Sequence, residues 1–505
     1  MGIGEAAVSG LLQATSLQVL PVLVGAALFG LIIGVIPGLS GHFAMAMLIP
    51  FIYTMEPSMG IAFLLGAHAT VAQGGGLTAI LFSVPGTGQN AATLLDGPPM
   101  TEKGLAGQAV GAAMVSCSLG AAFGALVLAL MLPVLREVVL LFGPAEFFML
   151  ALMALTFIAV LGKSDITRGL IAAFLGLLLS LVGVDNVTGQ ARFTFGSLSL
   201  WDGLSLVPVL LGIFAISEMV DLWLKGGSLA RGSTSNMSAG QMQKQIFIGM
   251  VETFKRWWLV LRCSAIGTLV GLIPGLGSAP ASFLAYAHAK QTSKDPDSFG
   301  TGNIEGVIGA ESANDAVEGG ALASTVAFGI PGSSSMAILL GGLMILGINP
   351  GRELVGEHPD LVFLMVFTIV IGNLVGSVAG TFLVNPLARL TFLKGSILAP
   401  CLVVIILTGA YAVNQNWFDI AVVLAFGIIG YLMKLLNYSR PAFIIGFILG
   451  YMVEKNLYLS MKLYGPTFFL QPIAFVLLLL VSAVLIYNIW DVARSKNGED
   501  TINGH

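Results

Sequence analysis

Glu311, Asp315 and Glu318 stand at i, i+4 and i+7 within an otherwise apolar run, IEGVIGAESANDAVEGGALASTVAFGIPGSSS from Ile304 to Ser335. That spacing puts three carboxylates on one helix face. A carboxylate at the centre of a membrane helix costs about 3 kcal/mol on insertion scales, so such groups face a polar cavity or an ion path. Glu311, Asn314 and Asp315 supply hard oxygen donors, which suit a small cation without nitrogen or sulfur ligands. The role expected of them is binding Na+ or H+; no metal beyond a Na+ ion is expected. Glu305 and Glu318 fit either the same face or an interfacial, hydrogen-bonded structural role.

Four Pro-Gly pairs supply the complementary chemistry: Pro37-Gly38, Pro85-Gly86, Pro274-Gly275 and Pro331-Gly332. Each is followed by small or hydroxyl residues: Leu39 and Ser40; Thr87, Gly88 and Asn90; Gly277 and Ser278; Ser333 and Ser334. A helix that stops at such a pair and restarts would aim free N–H groups and its positive dipole end into a cavity. That makes an anion site without fixed basic residues. The competing reading is that the pairs are hinges or packing kinks. His42 and His68 lie in apolar sequence, where a lone histidine is more often a hydrogen-bonded structural residue than a proton carrier.

The chain that must position these groups has 505 residues, 56% of them hydrophobic, only 10% charged, and 64 glycines. Soluble domains carry about 25% charged residues, so this is an all-α polytopic membrane protein. At ~20 apolar residues per span, its apolar blocks allow about ten to twelve spans. No Lys or Arg precedes Lys103, whereas 225–256 holds Lys225, Arg231, Lys244, Lys255 and Arg256. The positive-inside rule makes that central loop cytoplasmic and the N-terminus external. The start lacks a basic n-region, so no cleaved signal peptide is expected. Cys117, Cys263 and Cys401 show no metal-site spacing and no evident disulfide partner.

The pattern repeats. Gly30 to Gly41 overlays Gly267 to Ser278 with six identities in twelve positions at a constant offset of 237. Both copies carry Gly-x3-Gly-x3-Gly, a face for close helix packing. Gly74-Gly75 followed by Val84-Pro85-Gly86-Thr87 corresponds to Gly319-Gly320 followed by Ile330-Pro331-Gly332-Ser333, with one residue of slippage. In that register Gln73 stands opposite Glu318 and Thr70 opposite Asp315, so the acidic signal belongs to one half and favours one principal cation site. The expected organisation is a first transmembrane repeat over 1–224, a linker over 225–256, a second repeat over 257–490, and a disordered polar tail over 491–505. Internal repeats built on discontinuous helices are a mark of secondary transporters. A nucleophile–base pair, a metal cluster, a phosphate loop and a dinucleotide fingerprint are all missing from the sequence pattern. An enzyme is therefore not expected, and any transport would draw on a gradient or a separate subunit. A channel-like or enzymatic membrane protein built on the same broken helices is the alternative.

These motifs carry a resemblance. GxxPGL (Gly34–Leu39), the glycine run from Gly75 leading to VPGT (Val84–Thr87), TLLDGPPM (Thr93–Met100), FGTGNIEGVIGAESAND (Phe299–Asp315) and GIPGS (Gly329–Ser333) occur in order. In them the chain closely resembles the large membrane subunit of tripartite tricarboxylate transporters, over nearly its whole length. The resemblance implies a bacterial inner-membrane permease moving citrate or related carboxylates by cation symport. It implies two partners, a small membrane subunit and a periplasmic solute-binding protein, and neither cofactor nor nucleic acid. The family's pattern has Asn-Asn where this chain has Asn314-Asp315. Asp315→Asn is expected to retain transport while altering its pH or Na+ dependence; unchanged dependence on both ions in a vesicle uptake assay would remove Asp315 from the coupling role.

Overall fold

The computed structural model describes residues 2–161, 166–185, 188–225, 239–391, 393 and 395–486. Residues 226–238, much of the expected linker, and 487–505, which contain the expected tail, lie outside the described residues. Among the described residues the chain is helical apart from one short antiparallel hairpin, Gly183–Val184 with Ala191–Arg192.

The first helices, α1 (Ile3–Ala14) and α2 (Val19–Val35), meet at a 69° bend. The first Pro-Gly break separates α2 from α3 (Gly41–Leu48), and α4 (Pro57–Phe82) runs to the second break. Two 3-10 turns, Gly88–Ala91 and Thr93–Leu95, lead into the short α5 (Gly97–Glu102). The apolar helices α6 (Ala106–Leu140), α7 (Pro144–Leu161) and α8 (Ile166–Ser180) follow. Next come α9 (Leu206–Leu210) and α10 (Ser217–Lys225), joined by a wide π-turn at Leu211–Ile216. In the central segment α11 (Ala239–Lys255) is a helix.

The second set of broken helices is α12 (Trp257–Gly271), α13 (Ser278–Thr292), α14 (Ile304–Phe328) and α15 (Ser334–Ile345). After them come α16 (Arg352–Gly356), α17 (Pro359–Phe382), α18 (Val384–Leu390), α19 (Gly395–Asn414), α20 (Trp417–Leu435) and α21 (Arg440–Tyr464). Among the described residues six helices are individually long and apolar enough to cross a membrane, or seven if the bent α1–α2 pair is one span. Shorter apolar helices among the described residues include Pro144–Phe157, Thr167–Ser180 and Pro472–Ile486, and further apolar sequence is divided by the Pro-Gly breaks.

The described residues pack as two compact units, within Met1–Arg136 with Ser205–Leu432 and within Glu137–Leu204 with Met433–His505. In the smaller unit α8 and α21 cross closely, with Gly176 on the Phe443 carbonyl and Gly446 on the Ala173 carbonyl. The hairpin is tied to α21 by Arg192 Nη2, which donates to Glu454 Oε2 at 3.1 Å. All candidate site residues belong to the larger unit.

Glycine sets the geometry of the larger unit. A Cβ on Gly30 or Gly34 of α2 would lie 1.9 and 2.1 Å from the carbonyl oxygens of Ala67 and Val71 on α4. A Cβ on Gly267 or Gly271 of α12 would lie 2.4 and 2.2 Å from those of Ala313 and Val317 on α14. Gly74 meets the Leu31 carbonyl as Gly320 meets that of Thr268, at 2.4 and 2.2 Å. So α2–α4 and α12–α14 are the same close-packed pair. The contacts also correct the register: Gly74 matches Gly320, not Gly319, and the slippage disappears. Glu318 then stands opposite Ala72 and Asp315 opposite Ala69.

Added volume at these crossings should separate the helices, whereas a Cβ on Gly25 of α2 would meet no atom within 4 Å. Gly34→Val and Gly271→Val are each expected to lower stability by about 2 kcal/mol or more, while Gly25→Val is tolerated. Thermal unfolding of the purified protein in detergent checks this; equal melting of all three variants would contradict it.

Candidate functional site

The four breaks are joined in pairs. Gly38 N donates to Gly86 O at 3.1 Å, and Gly275 N donates to Gly332 O at 3.0 Å. Gly38 and Gly275 have φ of +92° and +84°, a region that glycine enters without a steric penalty. Each first-break loop is thereby satisfied by the loop at the end of its partner helix. The elements after the breaks then cross over. Helix α3, after the first break, packs on α15, after the fourth; α13, after the third, packs on the 3-10 turn after the second.

The acidic face of α14 is buried as one cluster. Glu311 is fully buried, and Asn314 and Asp315 are each 2% exposed. Glu311 Oε1 accepts hydrogen bonds from Thr93 Oγ1 and from Asn90 Nδ2, the latter at 3.1 Å. Its Oε2 accepts from Asn314 Nδ2 and Cys117 Sγ, both at 3.3 Å. Ligand atoms of Cys117, Glu311 and Asp315 lie within 4.8 Å of one another. Asn314 Oδ1 and Asp315 Oδ2 have no hydrogen-bond partner among the described residues. Two buried, unpartnered oxygens beside a carboxylate are hard donors of the kind a Na+ ion takes, and Asp315 Oδ2 can equally hold a proton. Cys117 reaches the cluster because Gly120 and Gly124 let α6 close onto the carbonyls of Ser312 and Ala316 on α14.

One turn further along α14, Glu318 Oε2 lies 2.9 Å from His68 Nε2 on α4. At the opposite, N-terminal end of α14, Glu305 is held differently. Arg256 Nε donates to its Oε1 at 3.2 Å and Ser293 Oγ to its Oε2 at 2.7 Å. Hydrogen bonds from Lys255 and Arg256 hold the neighbouring Glu252 carboxyl below the usual carboxylate range. Glu305 is thus paired and hydrogen-bonded at the helix start, apart from the buried cluster.

Asp96 anchors the start of α14. Its Oδ1 accepts from the backbone N–H groups of Gly300, Gly302 and Asn303 at 2.9, 2.8 and 2.8 Å. Its Oδ2 accepts from Tyr286 Oη at 2.9 Å. Asn303 in turn caps the helix, accepting from Glu305 N at 2.8 Å. The TLLDGPPM and FGTGN segments are thus bound to each other through one carboxylate.

The residues expected to bind an anion divide into three groups. Gly38, Gly88 and Gly277 have open space where a side chain would be, and Ser40 Oγ is buried without a hydrogen-bond partner. Leu39, Gly86 and Gly332 are packing residues: Leu39 is buried, Gly86 sits on Gly75 and Gly34, and Gly332 on Ala321. Thr87 donates to Asn90 Oδ1 at 2.7 Å, and the structure places Asn90 beside Glu311. Helix starts follow three of the breaks, at Gly41, Ser278 and Ser334. Short 3-10 turns replace the expected helix after the second, where Gly88, Gly97 and Pro98 interrupt it. Ser333 caps α15 by accepting from Met336 N at 3.2 Å. Sequence reasoning missed Cys117, Thr93 and the His68–Glu318 contact as parts of the site. Gln73 lies outside it, donating to Asn373 Oδ1 at 2.9 Å and to Ser377 Oγ at 3.1 Å.

Comparison with known proteins adds the decisive observation. The model of the tripartite tricarboxylate transporter TctA family matches residues 20–445, a span that includes both pairs of breaks and the acidic cluster. The chain belongs to the TctA family. Two similar proteins come from Agrobacterium vitis. One is an uncharacterised 52.8 kDa protein in the TAR-I ttuC′ 3′ region, 32% identical over 473 residues and covering 93% of each chain. The other, in the TAR-II ttuC′ 3′ region, is 32% identical over 236 residues, 46% of this chain and 98% of its own length. No solved structure matches. As a TctA-family protein, this chain is a multi-pass membrane component of a tricarboxylate transporter.

Removing the hydrogen-bonding groups that hold this TctA-family site should be measurable as stability. Thr93→Val deletes one donor to a buried carboxylate and is expected to cost about 1–2 kcal/mol. Asp96→Ala leaves three N–H groups and a phenol without their acceptor, and about 3 kcal/mol or more is expected. Denaturation of the purified protein tests the order; wild-type stability for Asp96→Ala would contradict it.

Proposed function

We propose that the protein is the permease of a bacterial inner-membrane symporter that imports tricarboxylates or related carboxylates with Na+ or H+. It would receive substrate from a periplasmic binding protein and work with a small membrane subunit. The observation that carries this reading is the crossed packing of the elements that follow the breaks. The starts of α3 and α15 meet at Gly41 and Ser335, where a Cβ on Gly41 would lie 3.5 Å from Ser335 Oγ. Helix starts supply N–H donors and positive dipole ends, which favour a carboxylate. The buried cluster of Glu311, Asn314 and Asp315 lies on α14, whose own end is the fourth break. Cation and anion would therefore act on one helix, and binding of one would bias the position of the other.

The division of labour follows from the chemistry. Glu311 is held by four donors and acts as the fixed ligand of the cluster. Asn314 Oδ1 and Asp315 Oδ2 are the atoms available to a coupling ion. Ser40 and Ser335 offer hydroxyls at the helix starts, and Gly38 leaves the backbone approachable. The two broken pairs, built alike, are best explained by internal duplication with the pairs moving against each other during alternating access.

Uptake of labelled citrate and a panel of di- and tricarboxylates into proteoliposomes tests the reading. The vesicles hold this chain and its small subunit, with binding protein added and a Na+ or pH gradient imposed. Uptake that requires the binding protein and one of the gradients is expected. No uptake of any carboxylate by an intact complex would overturn the proposed substrate class.

A further inference from the structure

The anion site read above has helix starts and hydroxyls but needs more positive potential for a ligand with three carboxylates. Among the described residues His68 is the one basic side chain in the buried interior, at 5% exposure. It projects from α4 toward the place where α3 and α15 begin. A Cβ on Gly41 would lie 2.5 Å from His68 Nδ1 and 2.9 Å from its Cε1. Glycine at the first position of α3 is what leaves the imidazole edge against the helix start.

The ring is not satisfied where it stands. Its Nε2 is 2.9 Å from Glu318 Oε2, an ion-pair distance, but neither ring nitrogen makes a well-aligned hydrogen bond among the described residues. Glu318 is itself 7% exposed, so both groups are buried by the surrounding helices. A buried polar group without a partner costs about 1–3 kcal/mol, and at a transport site such a cost is relieved when a ligand arrives. Ser40 Oγ, at the same helix start, is likewise buried and unpartnered.

The geometry points to His68 as a ligand for a further carboxylate of the substrate, with Glu318 holding the imidazolium in place. Nε2–H then faces Glu318 while Nδ1–H donates to the carboxylate at the start of α3. A hydrogen bond with both partners charged is stronger than those the uncharged hydroxyls of Ser40 and Ser335 would donate to the same ligand. It makes His68 a specificity determinant: a tricarboxylate uses the helix starts and His68 together, whereas a dicarboxylate uses fewer of these contacts. Glu318 is a positioning residue, acting through His68. The inference rests on the carboxylate reading of the preceding subsection.

The test is equilibrium binding of citrate and of succinate to the purified full-length protein, wild type and variants. His68→Gln is expected to weaken citrate binding about tenfold or more, and to change succinate binding by much less, so that the citrate-to-succinate ratio collapses. Gly41→Ala provides a second route, because its methyl group must push the imidazole aside; the same loss of discrimination is expected with His68 still present. Retention of the wild-type ratio in His68→Gln would overturn the inference while leaving the carboxylate reading intact. If His68→Gln does not fold, wild-type discrimination in Gly41→Ala does so instead. Wild-type protein that binds neither ligand would take down both.

Discussion

A helix that stops inside a membrane frees backbone groups that lipid cannot satisfy. In this protein local turn bonds meet part of the constraint, and two hydrogen bonds join the breaks to each other, Gly38 N to Gly86 O and Gly275 N to Gly332 O. Each joins the break of one helix to the break of its neighbour. The rest of the larger unit follows from that choice. The breaks must come within hydrogen-bonding distance, so α2 must press on α4 and α12 on α14 at backbone contact. Glycines at 30, 34 and 74 in one pair and at 267, 271 and 320 in the other allow that approach. Once the pairs are fixed, the chain beyond each break has to leave sideways, and the crossed packing of α3 on α15 results.

The same close packing explains how α14 carries buried carboxylates without unfolding. Glu311 has hydrogen-bond donors from the turn after the second break, from α6 and from its own helix. Asp96 ties the turn that presents Asn90 and Thr93 to the loop before α14. The polar groups are therefore arranged by a network linking the two halves of the chain, and a shift of either pair would alter the environment of Asp315. That is the physical connection between cation and anion on which symport would rest.

Much of this was legible in the sequence because small residues state their own geometry. Gly-x3-Gly spacing, Pro-Gly pairs and carboxylates at i, i+4 and i+7 announced close helices, breaks and a buried polar face. The membrane class and the family followed from composition and from ordered motifs. What the sequence could not supply was which faces meet. Cys117 joins Glu311 only because Gly120 and Gly124 close α6 onto α14, and His68 faces Glu318 across 250 residues of chain. The Gly120-x3-Gly124 face, with Cys117 one turn before it, was the signal that could have brought the thiol into the cluster. The register of the repeat was off by one because identity of the Gly-Gly pairs was followed, whereas the packing contacts match Gly74 to Gly320.

On the proposed function, substrate is held where the chain restarts after the first and fourth breaks. The most direct measurement is an experimental structure of the protein with citrate bound. The account expects density for the ligand between the starts of α3 and α15, within hydrogen-bonding reach of Ser40 and Ser335. Citrate density elsewhere, with those two helix starts packed against each other and without ligand, would contradict it.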